Sequence, residues 1–432
     1  MCSAWLIAGR GSRSDTIMEF PLFNAAMVAL ANLAQALLFL TGVFYLLLSL
    51  RGFFRGKRPA ADGAMRRFAV LLPAYNEAKV IRFSIESLLQ LDYPADKFDI
   101  FLVADHCTDE TAALARSTGI MVLEHSGQGR KPGKGRALKW ACEQILAMDK
   151  YDAFCYFDAD SLAHPGFLSV MNDHLAGGEE AVQGRQLAKN TESWLAKILA
   201  AGHIVSNRFF QQPKYALGLS ATLHGKGMCF SRRLAEQYPW DETCLTEDIE
   251  MQMRLIRYGE RLTWAEDAIV YDEEPDNIAQ YIKRTVRWTR GSLDTARRHL
   301  AGLWRRALVH RDAKAFEGAV YCTQVYRLGV VAVTAGLIYY TKDSFNLFIW
   351  LFQQVACARL TVKAMSVFPL VLYPAAALVL ERAPLDICVA YFFQPLLGIF
   401  RVPIFLAGVF RNRTAWGRTE HTSQVAISDL VD

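Results

Sequence analysis

The sequence predicts an α/β domain held between membrane-crossing ends. Three observations carry that prediction. An uncharged apolar run fills Pro21–Leu50, longer than the ~20 residues a membrane helix needs. From Phe68 to about Val270, short apolar runs alternate with helical stretches, as in an α/β domain. Beyond Gly318, further apolar stretches reach Phe410. Composition agrees, because a 52% hydrophobic fraction and a mean hydropathy of +0.12 coexist with 21% charged residues. The apolar and charged residues separate along the chain. A net charge of +5 is too modest to point to nucleic acid, and no nucleic-acid partner is expected. The nine Cys are scattered without C-x-x-C or Cys/His clusters, which argues against a zinc site or a disulfide framework.

Taken in order, residues 1–20 read as a leader and 21–50 as an N-terminal membrane helix. Arg51, Arg55, Lys57 and Arg58 follow at once, against Arg10 and Arg13 before it. That bias predicts an N-terminus outside and the next segment in the cytoplasm. Phe68–Leu72 reads as a buried strand running into Pro73-Ala74-Tyr75-Asn76-Glu77. Ile100–Ala104 is a second strand ending in Asp105, with Thr108 as the cap of the next helix. A helix is expected from Arg136 to Met148, and a third strand, Ala153–Phe157, ends in Asp158-Ala159-Asp160.

Each strand ends in polar residues on what should be one sheet edge, where ligands bind in open α/β sheets. Asp105 suits a base or ribose, and Tyr75 suits stacking on a base. Two carboxylates at i, i+2 suit a hard divalent cation that also grips phosphate, Mg²⁺ or Mn²⁺. Arg130-Lys131-Pro132-Gly133-Lys134-Gly135 is a basic glycine turn before a helix N-terminus, favourable for phosphate. Gly225 and Gly227 space a loop that lets backbone approach a ligand. Glu247 and Asp248 open a helix that continues to about Tyr258, where acids also suit the helix dipole; one of them is a candidate general base. Between Lys283 and Lys314 stand ten Lys or Arg against two Asp, with Trp288 and Trp304 interleaved. That pattern predicts one or two basic amphipathic helices on a membrane surface over 279–316, bounding an α/β domain at 66–278.

Together these residues resemble membrane-bound family-2 glycosyltransferases. Pro73-Ala74-Tyr75-Asn76-Glu77, Val103-Ala104-Asp105, Asp158-Ala159-Asp160, Thr246-Glu247-Asp248 and Arg284-x-x-Arg287-Trp288 occur in that family's order. The family includes synthases of cellulose, hyaluronan and poly-N-acetylglucosamine, and the resemblance implies its GT-A fold, a Rossmann-like mixed sheet. It further implies that Tyr75, Glu77 and Asp105 hold the uridine of a UDP-sugar, with Lys134 near the donor. Asp158 would contact the nucleotide-sugar and Asp160 would hold Mg²⁺ or Mn²⁺. Asp248 would be the general base, supported by Glu247, with Gly225–Gly227 at the acceptor end. Arg287 would lie near the leaving diphosphate and Trp288 would stack on the acceptor sugar. Arg284 departs from the family's usual Gln, adding a charge and losing a hydrogen-bond acceptor.

The expected function is inverting β-transfer from a UDP-sugar to a growing exopolysaccharide at the cytoplasmic face of a bacterial inner membrane. Alternatives are a single transfer to a lipid acceptor, either polyprenyl phosphate or ceramide-like, and a non-catalytic nucleotide-binding subunit of an export complex. Expected partners are a UDP-sugar, a glycan or lipid-linked acceptor, the bilayer, and export or regulatory subunits. In the C-terminal region, 317–410, the apolar stretches are Gly318–Tyr340, Ser344–Ala358, Ala364–Leu380 and Ile387–Phe410. Taking all four as crossings gives five spans and a cytoplasmic tail, 411–432. Within that tail, Trp416–Thr419 resembles a gating-loop motif of hyaluronan synthases.

Overall fold

The computed structural model describes residues 21–55, 59, 63–126, 132–410 and 421–431. The expected leader, Lys57, Arg58, Arg130, Lys131 and the motif Trp416–Thr419 lie outside the described residues. The chain forms two compact units, one of residues 21–42 with 329–363 and one of 43–328 with 364–431.

The larger unit is built on eight strands: β1 (Phe68–Ala74), β2 (Phe98–Asp105), β3 (Met121–His125), β4 (Ala153–Tyr156), β5 (Leu162–Ala163), β6 (Ala181–Ala188), β7 (Met228–Ser231) and β8 (Leu262–Asp272). Their order in one sheet is β3-β2-β1-β4-β7-β6-β8-β5. β1 pairs in parallel with both β2 and β4, so the strand order reverses beside β1. That reversal opens a crevice at the carboxyl ends of these strands. β7 runs antiparallel to β4 and β6, which makes the sheet mixed.

The helices begin with α1 (Pro21–Leu50), and those among the strands are α2 (Ile81–Leu89), α3 (Thr111–Ser117), α4 (Lys134–Leu146), α5 (Phe167–Ala176), α6 (Trp194–Ser206), α7 (Gln212–Ala216), α8 (Arg232–Gln237) and α9 (Glu247–Tyr258). β1, β2 and β4 are apolar on both faces because both faces are covered. Leu71, Phe101, Phe154 and Tyr156 pack under α4 and α9 with Leu138 and Met251. Val70, Leu72, Leu102 and Phe157 pack the other way, on Ile81 and Ile85 of α2 and Phe167 of α5.

Two long helices follow β8. α10 (Ile278–Val309) is one continuous helix of 32 residues, and α11 (Ala313–Thr323) succeeds it. α10 buries Gly291, Leu293, Ala296, His299 and Leu303 against the domain. A Cβ at Gly291 would meet the Thr246 side chain, so α10 approaches the start of α9 more closely than a larger residue allows. The expected boundary at 278 therefore falls just before a helix that packs on the α/β core.

Among the described residues, three helices are long and apolar enough to cross a membrane: Leu22–Phe53, Ala313–Tyr340 and Ala356–Leu380. A pair bent by 45°, Leu385–Tyr391 with Gln394–Phe410, makes a fourth only if counted as one span. The five crossings expected from the apolar stretches thus become three or four. The bend falls just before Pro395, in the first turn of the second arm, and both arms pack on the domain. Ala390 and Leu397 seat on Leu195 and Ile198 of α6 and Tyr281 of α10. Gly408 seats on Thr289 of α10. Just before the pair, Glu381 accepts from Arg185 (2.9 Å) and Arg208 (3.1 Å) of the α/β unit. Both arms of this pair lie along the domain. In the smaller unit, the Tyr340 hydroxyl donates to Asn24 and the Leu347 N–H to Asn32, both at 3.1 Å.

Candidate active site

The turn after β1 carries Tyr75 and Glu77, and Asn76 there takes φ +58°, a left-handed conformation that Asn tolerates better than most residues. Its carboxamide oxygen accepts from the Thr108 N–H at 2.7 Å. Thr108 therefore ties the β1 and β2 ends together instead of capping the next helix, which begins at Thr111. Asp105 ends β2. One of its oxygens accepts from the Gly133 N–H (2.8 Å) and the other faces the Nδ1 atoms of His106 (2.6 Å) and His125 (2.8 Å). Gly133 is the N-cap of α4, so the Asp105 carboxylate fixes the start of the helix that brings in Lys134.

Lys134 is the hub. Its Nζ donates to Asp158 Oδ1 (2.5 Å) and the Gly225 carbonyl (2.7 Å), and lies 3.3 Å from Glu247 Oε1. Burial opposes its charge, but Asp158 and Glu247 outweigh it and hold the ammonium protonated. Gly225 has φ +77°, and a Cβ there would lie 3.1 Å from Asp248 Oδ2 and 3.2 Å from Lys134 Nζ. Any side chain there would be strained by the positive φ and would press these two groups back by a few tenths of an ångström. Asp248, on the first turn of α9, accepts from the Ile249 N–H at 2.8 Å. Burial, and then the neighbouring Glu247 charge, push its carboxyl up to about 6 against the pull of Lys134.

Twelve of the expected residues line a single cleft: Tyr75, Glu77, Asp105, Lys134, Asp158, Asp160, Gly225, Glu247, Asp248, Arg284, Arg287 and Trp288. The cleft encloses about 1250 Å³ including its open mouth. Gly227 is the exception. It sits behind the wall at φ +59°, where its carbonyl accepts from the Gly184 N–H at 2.7 Å and a Cβ would strike Val270. Its role is to let the loop enter β7.

Arg284 also differs from expectation. It donates to the buried Glu274 at 2.6 Å and stacks 4.6 Å from the Trp288 ring centroid. Burial opposes ionisation of Glu274, but Arg284 and His203 outweigh it and hold the carboxyl well below its ordinary range.

Other cleft residues escaped the sequence reasoning. Asp272 closes β8 just as Asp105 closes β2, a signal that was present in the apolar run Ala268-Ile269-Val270-Tyr271. Carboxylate oxygens of Asp158, Asp160 and Asp272 lie within 4.8 Å of one another, a donor set that fits Mg²⁺ or Mn²⁺. Lys226 pairs with Asp272, whose carboxyl burial pushes up to about 6 against that pairing. His421 arrives from the far end of the chain, 3.2 Å from Glu77 and 3.8 Å from Asp160. Burial works against its charge, yet Asp160 and Glu77 push it up to about 9. No local sequence signal marks that histidine. The segment is anchored by the Thr422 and Ser423 N–H groups on Glu273 and by Ile427 against Leu162 and Tyr271.

Residues 66–291 match the profile of the family described as glycosyltransferase-like family 2. The matched segment is just over half of the chain. The protein belongs to that family. The family-2 chain is similar to a mannosyltransferase from Pyrobaculum calidifontis, solved in complex with GDP-Man and Mn²⁺. The TM-score is 0.54 at 17% identity, covering 85% of this chain and 99% of that one, so the two share the GT-A fold. It is 26% identical over 239 residues to a probable glycosyltransferase of Bacillus subtilis, covering 52% of this chain and 55% of that one. A β-monoglucosyldiacylglycerol synthase of Synechocystis is 27% identical over 192 residues, 43% of this chain and 39% of that one. A poly-β-1,6-N-acetyl-D-glucosamine synthase of Staphylococcus epidermidis is 24% identical over 293 residues, 64% of this chain and 68% of that one. The chain thus spans only 55% and 39% of the lengths of the Bacillus and Synechocystis relatives.

Proposed function

We propose that the protein is a membrane-bound inverting β-glycosyltransferase that takes a sugar from a UDP-sugar. The observation that carries this reading is the convergence of Asp158, Asp160, Lys134, Asp248, Arg287 and Trp288 on one cleft at the point where the strand order reverses. A non-catalytic subunit would have no need of all six there.

In this reading Tyr75, Glu77 and Asp105 receive the uridine. Asp158, Asp160 and Asp272 hold the Mg²⁺ or Mn²⁺, with His421 beside them. The bound cation supplies positive charge to the donor diphosphate and the departing UDP. Lys134 keeps Asp158, Glu247 and the Gly225 carbonyl in register around the donor. Arg287 makes no ion pair among the described residues, so its charge remains for the leaving diphosphate. Asp248 accepts the proton of the acceptor hydroxyl as that oxygen attacks the anomeric carbon. Trp288, 40% exposed, offers an aromatic face to the acceptor sugar. One displacement without a covalent sugar–enzyme intermediate converts an α-linked donor into a β-linked product.

For the acceptor we take a growing exopolysaccharide at the cytoplasmic face of the membrane, as the name of the Staphylococcus relative suggests. The N-terminal helix and the basic residues after it support an orientation with the N-terminus outside. A second reading, a single transfer to a lipid, is favoured by the span count. Among the described residues, three apolar helices and one bent pair along the domain leave little protein for a channel, and the Synechocystis relative is named for a lipid product.

The test uses native membranes fed radiolabelled UDP-glucose, UDP-N-acetylglucosamine, UDP-galactose or UDP-glucuronate in turn. Label in a high-mass aqueous fraction supports the polysaccharide. Label in the organic phase moves the acceptor to a lipid, and label in neither fraction with any donor contradicts the reading.

A further inference from the structure

We infer that Arg284 is a positioning residue for the acceptor platform: clamped by the buried Glu274, its guanidinium holds the Trp288 ring in place. The inference rests on Trp288 being the acceptor face proposed above.

The chain of contacts begins in the α/β core. Glu274, just beyond β8, is 1% exposed. Its backbone N–H donates to the Asn190 side chain at 2.7 Å, and its carbonyl accepts from the same side chain at 2.9 Å. One carboxylate oxygen meets His203 Nε2 of α6 and the other accepts from Arg284 Nη2, each at 2.6 Å. Glu274 is thus a fixed, charged anchor, and the side chain of Arg284 is 10% exposed against it. Arg284 and Trp288 stand four residues apart on α10, which places them on one face of the helix. The guanidinium carbon lies 4.6 Å from the indole centroid, a cation–π stack that fixes the ring.

Two consequences separate this position from its neighbour. The charge of Arg284 is neutralised by Glu274, whereas Arg287, one turn away, has no carboxylate partner among the described residues. Leaving-group stabilisation therefore falls to Arg287 and ring placement to Arg284. A glutamine at position 284 supplies no positive charge, and a lysine supplies charge without a flat face to stack. The two substitutions take the clamp apart in different ways.

The experiment uses the whole chain in detergent and in native membranes, with Arg284→Lys, Arg284→Gln, Glu274→Gln and Trp288→Phe variants. Acrylamide quenching reports the exposure of Trp288 by difference from Trp288→Phe. Calorimetry with UDP and Mn²⁺ reports the donor site, and UDP release in native membranes, which hold the acceptor, reports turnover. Arg284→Lys keeps the ion pair, so folding and UDP·Mn²⁺ affinity are expected to stay at wild-type values. Trp288 becomes more accessible to quencher, and UDP release falls about tenfold at unchanged donor KM. Glu274→Gln gives the same rise in quenching and fall in UDP release because the guanidinium loses its anchor, together with a loss of stability from the broken buried pair. Wild-type quenching and turnover in Arg284→Lys would overturn the inference, and so would a Glu274→Gln variant indistinguishable from wild type. If Arg284→Gln fails to fold, Arg284→Lys still decides. Failure of the wild-type chain to bind UDP·Mn²⁺ contradicts the donor site instead, leaving the quenching comparison as the test of the clamp.

Discussion

Replacing Asp248 with Asn tests the proposed base through stability as well as rate. The Asp248 carboxyl is pushed from its ordinary 3.8 to about 6 by burial and by Glu247. Keeping it ionised at neutral pH costs about 3 kcal/mol on that shift, trimmed toward about 1–3 kcal/mol because the group is partly open to the cleft. Asparagine keeps the shape and removes the charge. The variant is therefore expected to be more stable than wild type at pH 7.5, by about 2–4 °C in Tm per kcal/mol. The sign with pH follows from the raised value. As pH falls through about 6, the wild-type carboxyl takes up its proton and regains the stability that ionisation removed. The variant's advantage fades over that window and is gone below 3.8. Turnover needs the ionised form, so the wild-type rate should fall roughly tenfold between pH 7 and pH 5. Transfer by the variant should drop by about 10²–10⁴ with UDP binding retained. Thermal unfolding and UDP release across pH 4–8 measure both quantities. A variant less stable than wild type at pH 7.5, or transfer unchanged by the substitution, would refute the reasoning.

Other perturbations follow from the same cleft and from the core. Asp160→Asn removes one of three clustered carboxylates, and calorimetry should find UDP·Mn²⁺ binding weakened more than tenfold, with UDP alone in EDTA unaffected. Gly225→Ala imposes a left-handed alanine beside Asp248 and Lys134, so a loss of about 1–2 kcal/mol in thermal stability should accompany a large fall in UDP release. Wild-type turnover in that variant would mean the loop stands clear of the reacting groups. Lys214 and Glu317 form a fully buried pair at 2.7 Å. Glu317→Gln should cost about 3–5 kcal/mol by stranding the lysine, while the double change to Lys214→Met with Glu317→Leu should cost less, as chemical unfolding would read.

What was legible in the sequence was the part set by local pattern. Apolar runs that end in carboxylates located Asp105, Asp158 and Asp160 on one sheet edge, because a strand's carboxyl end fixes where its next residues point. The acids that open α9 at Glu247 and Asp248 were legible for the same kind of reason. Asp272 ends its strand in the same way, with Glu274 at i+2, so the pattern that located Asp158 and Asp160 was present there too. The partners of Arg284 were not legible, since Glu274, His203 and Asn190 meet only once β8, α6 and α10 pack. His421 reaches Glu77 across the whole chain, and no periodicity predicts such a contact. Gly227 misled because glycine spacing alone does not distinguish a loop that faces ligand from one that clears Val270. The span count failed at Ser344–Ala358, which folds as the eight-residue helix Leu347–Gln354 and the start of Ala356–Leu380, and hydropathy does not distinguish a crossing from the bent pair along the domain. Leu397 and Gly408 are apolar or small for packing on α6 and α10, as well as for contact with lipid.

The central claim is metal-dependent transfer from a UDP-sugar by one displacement. Its most direct test is UDP release by the chain in native membranes, which hold the acceptor, with Mn²⁺ or EDTA across the common UDP-sugars, and the anomeric configuration of the product read by NMR. The account predicts that one α-linked donor is turned over, that EDTA abolishes the release, and that the new linkage is β. Release that survives EDTA, or an α-linked product, would contradict it.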